Sequence, residues 1–461
     1  MTHRSRLAVL AAVGIAAALA PAAAEAHGLV QRTALPIPEW LFGWAAAIVL
    51  VASFAGLAVL WPRPRLQQPG WRPLPGLGRP LASRPVEVLC GAVGIALLGV
   101  VIAAGYAGRG SALDNLAPTF ILIDFWVGLV FASALFGDLF RAFSPWRAIR
   151  LPGIRPYPER WGRYPAAIAL LAFTWVELVS GWGDAPASLT TAAVAYTVYT
   201  LAAQALFGTE AWTRNGEAFA VYFNLFSRLS VWETRERVVG LRPPLGGLPR
   251  VDAAPGTILF VVVMIGTVTF DGFSQGPFWT EKSVDLSAAL DGLVGLDTAP
   301  KLAGTVGLLA AVAAIGLFYR IGIDGARSVG GDIDAAQLRR AFIHTLVPIA
   351  MVYVAAHYLT FLVFEGQGIL YLSSDPLGEG WNLFGTATAA IDYGLLSQNA
   401  TWYLQVGFVV AGHVAALVLA HDRALALDPG SRLAVRSQYW MLGVMVGFTT
   451  LALWLLAAAQ G

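Results

Sequence analysis

The sequence predicts an all-α protein, a polytopic bundle of about ten transmembrane helices that follow a cleaved signal peptide, with both termini extracytoplasmic. Two observations predict this class. Apolar residues make up 57% of the 461 residues and charged residues 13%, which gives a mean hydropathy of +0.65, well above that of a soluble domain. About ten separate apolar runs reach the length of about 20 residues that a spanning helix needs. The lipid bilayer is therefore an expected partner, and the composition gives no indication of nucleic-acid binding.

The first 26 residues have the organisation of a secretory signal peptide. A basic start with Arg4 and Arg6 precedes an apolar centre over 7–20, and residues 24–26 form a small-x-small cleavage site. Cleavage there would make His27 the first residue of the mature chain, and its free amine and imidazole could together bind one metal ion. An uncleaved anchor helix is the alternative, and it would leave His27 without a free amine. Residues 27–461 are predicted to form a single transmembrane domain.

The charges of the loops predict the orientation of the spans. Loops 62–85 and 143–163 each contain five arginines, whereas 273–299 contains four acidic residues and one lysine. By the positive-inside rule, the first two loops are cytoplasmic and the third is extracytoplasmic. The predicted location is the bacterial inner membrane, with the active face towards the periplasm or exterior. The predicted spans are 38–61, 86–107, 118–142, 164–183, 187–208, 256–272, 300–320, 341–364, 400–421 and 437–459.

Three segments between the spans have patterns of their own. Residues 210–231 place polar side chains, Glu217 among them, on one helical face and aromatic side chains on the other, which predicts an amphipathic helix in the cytoplasmic interface. A re-entrant helix that carries Glu217 into the bundle is the alternative. In the outer-face loop 273–299, residues 282–297 predict a short amphipathic helix, and the long outer loop 365–399 predicts a lid or binding loop.

Several titratable residues lie inside the predicted spans, where such side chains are costly and usually face a cavity, a partner or a ligand. Asp124, Glu177 and His357 fall at about the same depth, roughly 9–10 Å from the outer ends of their spans, and His413 falls at about 18 Å. His344 lies towards the cytoplasmic end. The plainer interpretation is that the histidines only satisfy hydrogen bonds and that the acids pair with serine, tyrosine or tryptophan.

The shared depth predicts a metal site open to the outer face. His27, His357, Asp124 and Glu177 are the candidate ligands, with His413 as a deeper one, and Asp124 and Glu177 are also the candidate catalytic carboxylates. Since Cys90 is the single cysteine, a thiolate cluster is excluded, and the ligands must be nitrogen and oxygen. We expect a divalent transition metal, with zinc or copper favoured. Such a metal with an open position could activate water for hydrolysis or bind for oxidation.

Three segments together resemble a family of polytopic bacterial membrane proteins that are often labelled fenitrothion hydrolase, an organophosphate-ester hydrolase. The segments are AHGLVQRTALPIPEWLFGWAAAIVLVASFAGLAVLWPRPRL near the start, WTRNGEAFAVYFNLFSRLSVW in the middle and AAHYLTFLVFEGQG later. The resemblance implies a small-molecule substrate, a phosphate or thiophosphate triester attacked by an activated water. It assigns no catalytic residue.

Other function classes stay open at this point. A copper-type metal transporter or delivery protein, a small-solute transporter and a structural subunit are the alternatives to a metal-dependent hydrolase. A transporter needs a polar route through the whole bilayer, so His413, His344 and Asp138 should continue the path below His357. An enzyme needs only the outer site and a lid.

Overall fold

The computed structural model describes residues 39–329, 334–427 and 431–459. The first part of the chain forms helices joined by short connections, with two strands near its end and one earlier. Its elements are α1 Glu39–Leu60, β1 Arg72–Pro73, α2 Pro75–Leu81, α3 Arg84–Ala107, α4 Leu116–Phe136, α5 Leu139–Phe143, α6 Pro145–Ile149, α7 Tyr164–Leu178, α8 Pro186–Phe207, α9 Thr209–Asn215, α10 Ala218–Ser227, β2 Trp232–Arg235 and β3 Val238–Leu241.

The second part is helical throughout its regular elements. They are α11 Thr257–Ser274, α12 Pro277–Val294, α13 Ala299–Arg327, α14 Ala335–His357, α15 Leu359–Val363, α16 Gly368–Ser374, α17 Gln398–Leu427 and α18 Ser431–Ala459. Two helices are irregular: α4 is wound as a π-helix over Thr119–Gly128, and α14 contains a 3₁₀ turn, Ile343–Leu346, just before Pro348. Proline cannot donate the backbone bond that an α-helix needs there, so the turn tightens.

Long apolar helices confirm a multi-pass membrane protein. Within the described ranges, eight helices are long and apolar enough to cross a bilayer: α1, α3, α4, α8, α11, α13, α14 and α17. Backbone N–H and C=O groups must form hydrogen bonds within the chain when they lie in lipid, and such apolar runs therefore form helices. Helices α7 and α18 occupy the two remaining predicted runs.

Helices α11 and α14 form the buried centre of the bundle. Helix α11 packs against α13, α7 and α14, and α14 packs most extensively against α17. Helix α8 packs instead against α3, so consecutive helices α7 and α8 have different main partners. This division leaves space between α7 and α8.

Loops 62–83 and 144–163 lie at one end of the bundle, which we call the arginine-rich end. Its three strands form an antiparallel sheet in the order β1-β3-β2, with Trp232 paired to Leu241. In β2, Glu233 forms ion pairs with Arg235, Arg250 and Arg242, whose N···O distances are 2.6, 3.1 and 3.7 Å. Side chains thus tie the sheet to the segment that leads to α11.

The opposite end, which we call the acidic end, includes α12 and the segment 365–399. Helix α12 begins earlier than the predicted amphipathic helix, at Pro277. The loop predicted over 365–399 contains α16, and after it the Asp375 carboxylate accepts hydrogen bonds from the backbone N–H groups of Glu379 and Gly380, both at 2.9 Å. Asp375 therefore builds a turn.

The predicted interfacial helix over 210–231 is wrong. Gly216 and Glu217 divide the segment into α9 and α10, and nine of the ten residues of α10 are buried. Its aromatic side chains pack on α4 rather than on lipid: Phe223, for example, lies 5.2 Å from Phe125 between ring centroids. Glu217 lies inside the bundle, as the alternative interpretation proposed, and caps α10 by accepting bonds from the N–H groups of Phe219 and Ala220.

The predicted span over 118–142 ends early. Helix α4 stops at Phe136, because Gly137 adopts a φ of 94° that side chains disfavour. Asp138 then caps α5, accepting a bond from the N–H of Arg141 at 3.2 Å, and its other oxygen accepts one from Asn224 at 2.7 Å. Asp138 therefore serves local structure at the arginine-rich end and does not continue a polar route from His357.

Candidate functional site

The most developed polar contact in the bundle joins Asp271 to His357 and Tyr358. Nε2 of His357 lies 2.9 Å from Oδ2 of Asp271, and the Tyr358 hydroxyl donates to the same oxygen at 2.7 Å. Asp271 belongs to the last turn of α11, His357 is the last residue of α14, and Tyr358 follows it. The two helices pack directly against each other, which brings their ends together at the acidic end.

This contact fixes the state of the imidazole. An ionised Asp271 accepts a hydrogen bond from Nε2–H, and the neutral ring then has its lone pair on Nδ1. A methyl group added to Gly272 would lie 3.5 Å from Nδ1, so the absence of a side chain at Gly272 leaves that edge of the ring uncrowded. The Nδ1 atom is thus the nitrogen that can take up a proton or bind a metal.

The surroundings of His357 leave it accessible. The side chain of His357 is 19% exposed and that of Asp271 13%. A small cavity of about 30 Å³ borders the ring and is lined also by Thr269, Gly272 and Tyr353. That volume exceeds the space of about 10–15 Å³ that one water molecule requires. A water molecule could therefore reach the imidazole without a rearrangement of the helices.

Glu177 is the second carboxylate near the pair. It lies in the last turn of α7, close enough to Asp271, Tyr222 and Tyr358 to interact electrostatically with each of them. Its Oε2 atom is buried and accepts no hydrogen bond from any described residue, and the same holds for the hydroxyl of Tyr222. Glu177 therefore lies near Asp271 and Tyr358, the two residues that contact each other beside His357.

Asp124 lies in a different part of the bundle from His357. It lies in the π-helical part of α4 and lines a cavity between α7 and α8. The prediction rested on depth, and depth does not specify the direction in which a side chain points around its helix. The structure does not bring Asp124 together with His357.

His413 and His344 are also separate from the pair. His413 is fully buried in α17, where its Nδ1 lies 2.7 Å from the carbonyl oxygen of Val409 in the same helix. His344 is buried in the 3₁₀ turn of α14. Three atoms along α14 and α17 are buried and have no hydrogen-bond partner among the described residues: the Tyr353 hydroxyl, Nε2 of His413 and Nε2 of His344.

The predicted metal ligands are thus only partly assembled. Within the described part of the chain, no group of three or more His, Cys, Asp or Glu side chains is arranged to hold a metal ion. His27 and the predicted signal peptide lie outside the described residues. The site residues predicted from the sequence include neither Asp271 nor Tyr358.

Comparison with known proteins gives no family for this chain. No protein-family model, no curated protein and no solved structure matches it.

Proposed function

We propose that the protein is a membrane-embedded hydrolase of apolar esters, in which Asp271 and His357 form the acid–base pair. The observation that carries the proposal is the 2.9 Å contact between Asp271 Oδ2 and His357 Nε2 beside a cavity that admits water. A carboxylate that orients a histidine is a recurrent device for activating a nucleophile. The resemblance noted in the sequence suggests organophosphate triesters as the substrate class.

The proposed reaction needs only groups at this site and water. Nδ1 of His357 accepts a proton from water as the water oxygen forms a bond to phosphorus. The bond from phosphorus to the leaving alcohol oxygen breaks, and the imidazolium returns the proton to that oxygen. Asp271 stabilises the positive imidazolium, and Tyr358 holds Asp271 in place through its hydroxyl. Glu177 is a further buried carboxyl group close to Asp271 and Tyr358.

A metal-dependent form of the same site is the second candidate. Metal-bound histidines commonly donate their other ring N–H to a carboxylate, which is the relationship of His357 to Asp271. We propose His357 Nδ1 and the amine and imidazole of a mature His27 as donors to zinc or copper, with Glu177 nearest among the predicted carboxylates. Asp124 and His413 are not part of this set. Such an ion would supply Lewis acidity and a more acidic water.

Transport is favoured by a different observation. The buried atoms of Tyr353, His413 and His344 that have no hydrogen-bond partner among the described residues follow α14 and α17 from His357 towards the arginine-rich end. They would suit a path for protons or a metal ion, as in a copper-type or small-solute transporter. Uptake into proteoliposomes that fails in His413→Ala and persists in Asp271→Asn would favour transport over hydrolysis.

The topology completes the proposal. We infer ten spans, because α7 and α18 fill the remaining predicted runs. From the sequence we also propose that the signal peptide is cleaved and that both termini lie outside the cytoplasmic membrane. The arginines of 62–85 and 143–163 would then face the cytoplasm, and the Asp271–His357 pair the periplasm or exterior. Cysteine labels on the two ends, tested with a reagent that does not cross membranes, would check this orientation.

The direct test is hydrolysis of diethyl p-nitrophenyl phosphate by the full chain in lipid nanodiscs. The wild type should release p-nitrophenol, and His357→Ala should lose at least about 100-fold in rate. Elemental mass spectrometry of the same samples distinguishes the metal-dependent form, in which about one equivalent of metal disappears with His357→Ala. No release by the wild type, with or without added zinc and copper, would contradict the hydrolase proposal.

A further inference from the structure

A large cavity lies between α7 and α8 and plays no part in the proposed hydrolysis. Its volume of about 1110 Å³ slightly exceeds the range of about 300–1,000 Å³ that is usual for small-molecule pockets. Helices α3 and α4 close the other sides. The lining is almost entirely apolar and strongly aromatic, and its residues include Leu97, Phe120, Phe125, Trp146, Phe173 and Phe219.

Asp124 is the single carboxylate among the described residues that line this cavity. Its Oδ2 atom is buried and receives no hydrogen bond from any described residue. A carboxylate in such surroundings is costly unless a ligand or partner compensates it. It also lies within the π-helical stretch of α4, and π-helical segments occur frequently at functional sites.

The position of Arg160, the other charged residue that lines the cavity, indicates which ligand charge would suit Asp124. Arg160 precedes the first turn of α7 and is exposed, whereas Leu122, two residues before Asp124, lies near Gly183 just beyond the last turn of α7. Arg160 and Asp124 are therefore separated by roughly the length of α7, about 22 Å for its 15 residues. No cationic side chain of the described residues is seen beside the carboxylate, so this end of the cavity is acidic as well as apolar.

A lipid acyl chain would fill the apolar cavity but would leave Asp124 without a hydrogen-bond donor. An ammonium group would donate a charge-assisted hydrogen bond to the carboxylate, which is stronger than a bond between neutral groups. Phe125, Phe173 and Phe219 line the same cavity, and aromatic rings attract cations through their faces. An anionic ligand would be repelled by the negative charge of the carboxylate.

We propose that this cavity binds a lipophilic amine in its ammonium form, with the nitrogen at Asp124 and the apolar body against the aromatic walls. The site is separate from the Asp271–His357 pair and goes beyond the proposed hydrolysis. Exposed side chains of α7 and α8, such as Ile168 and Tyr199, line the cavity, so the ligand would enter from the bilayer.

The test is calorimetric titration of the full chain in nanodiscs with 1-naphthylmethylamine and with its neutral isostere 1-naphthylmethanol, using empty nanodiscs as the blank. The amine should bind at least about tenfold more tightly than the alcohol, a difference of about 1.4 kcal/mol. In Asp124→Asn that difference should disappear. Glu365→Gln, which removes a carboxylate at the acidic end, is the matched control and should leave both affinities unchanged.

A second variant guards against misfolding of Asp124→Asn. Ala193 lies in the α8 wall, and Ala193→Trp should fill the cavity and abolish binding of both probes while Asp124 is retained. Equal binding of amine and alcohol, or binding of the amine to Ala193→Trp at wild-type affinity, would overturn the proposal. The first of these results would indicate a pocket occupied by lipid alone.

Discussion

Oδ2 of Asp271 accepts hydrogen bonds from two consecutive residues, His357 at 2.9 Å and Tyr358 at 2.7 Å. The end of α11 is thereby joined to the end of α14. Because both donors converge on one oxygen, the carboxylate is fixed and the imidazole has one defined orientation.

Asp271 and Tyr358 should contribute unequally to hydrolysis. Asp271→Asn keeps the shape of the side chain but removes the charge that stabilises the imidazolium, so kcat should fall by about 100-fold or more. Tyr358→Phe removes only one neutral donor and should lower kcat by less than about tenfold. Initial rates of triester hydrolysis measure both effects, and equal losses would show that the two residues act only by maintaining the fold.

Asp422 should be important for stability rather than for activity. Its buried carboxylate accepts bonds from Trp61 Nε1 at 3.0 Å, from Gln67 Nε2 at 2.7 Å and from the backbone N–H of Leu66 at 3.2 Å. Asp422→Ala leaves these donors unsatisfied and should lower the free energy of unfolding by about 3 kcal/mol. Thermal unfolding in detergent is the measurement. Asp285→Ala on the exposed face of α12 is the control and should change Tm little.

The ion pairs of Glu233 should make stability depend on acid pH. Burial acts to raise the pKa of Glu233, but the hydrogen bond from Arg235 and the charges of Arg242, Arg235 and Arg250 hold that pKa below its ordinary value of 4.5. A lowered pKa contributes stability that is present above pH 4.5 and is lost as the pH falls through the lower folded-state pKa. Urea unfolding between pH 7 and pH 3 should show this loss. In Glu233→Gln stability should be lower at pH 7 and this part of the acid dependence absent.

Two glycines of α17 should respond differently to alanine. A methyl group on Gly412 would overlap a side-chain carbon of Val352 in α14, whereas one on Gly407 would meet nothing within 4 Å. Gly412→Ala should therefore cost about 1–3 kcal/mol through overpacking. Gly407→Ala should change stability by less than about 1 kcal/mol. Addition of Val352→Ala to Gly412→Ala should restore part of the loss, which a cause outside this contact would not allow.

The long helices could be predicted because apolar runs of about 20 residues have few alternatives in a bilayer. The pairing of His357 with Asp271 could not, because the predicted span ran on to residue 364 and placed His357 inside it. The helix ends at His357 itself, so His357 and Asp271 reach the same level. That end of α14 has no strong local signal in the sequence.

Rotation about the helix axis is the second quantity that the sequence did not specify. The predicted spans gave Asp124 the same depth as Glu177 and His357, but the π-helical winding of Thr119–Gly128 changes the angle per residue on which face predictions depend. The β2–β3 hairpin was also missed, because the sequence of its turn is unusual. Its turn residues Glu236 and Arg237 both have positive φ, and such turns usually contain asparagine, aspartate or glycine.

The most direct test of the central claim is chemical rescue of His357→Ala in nanodiscs, with diethyl p-nitrophenyl phosphate as substrate and free imidazole added. If His357 is the base that Asp271 orients, the variant should be at least about 100-fold slower than the wild type, and imidazole should restore part of the rate in a concentration-dependent way. In the double variant with Asp271→Asn, rescue should be weaker, since no carboxylate remains to hold the added imidazole. A His357→Ala protein that hydrolyses the triester at the wild-type rate would contradict the account.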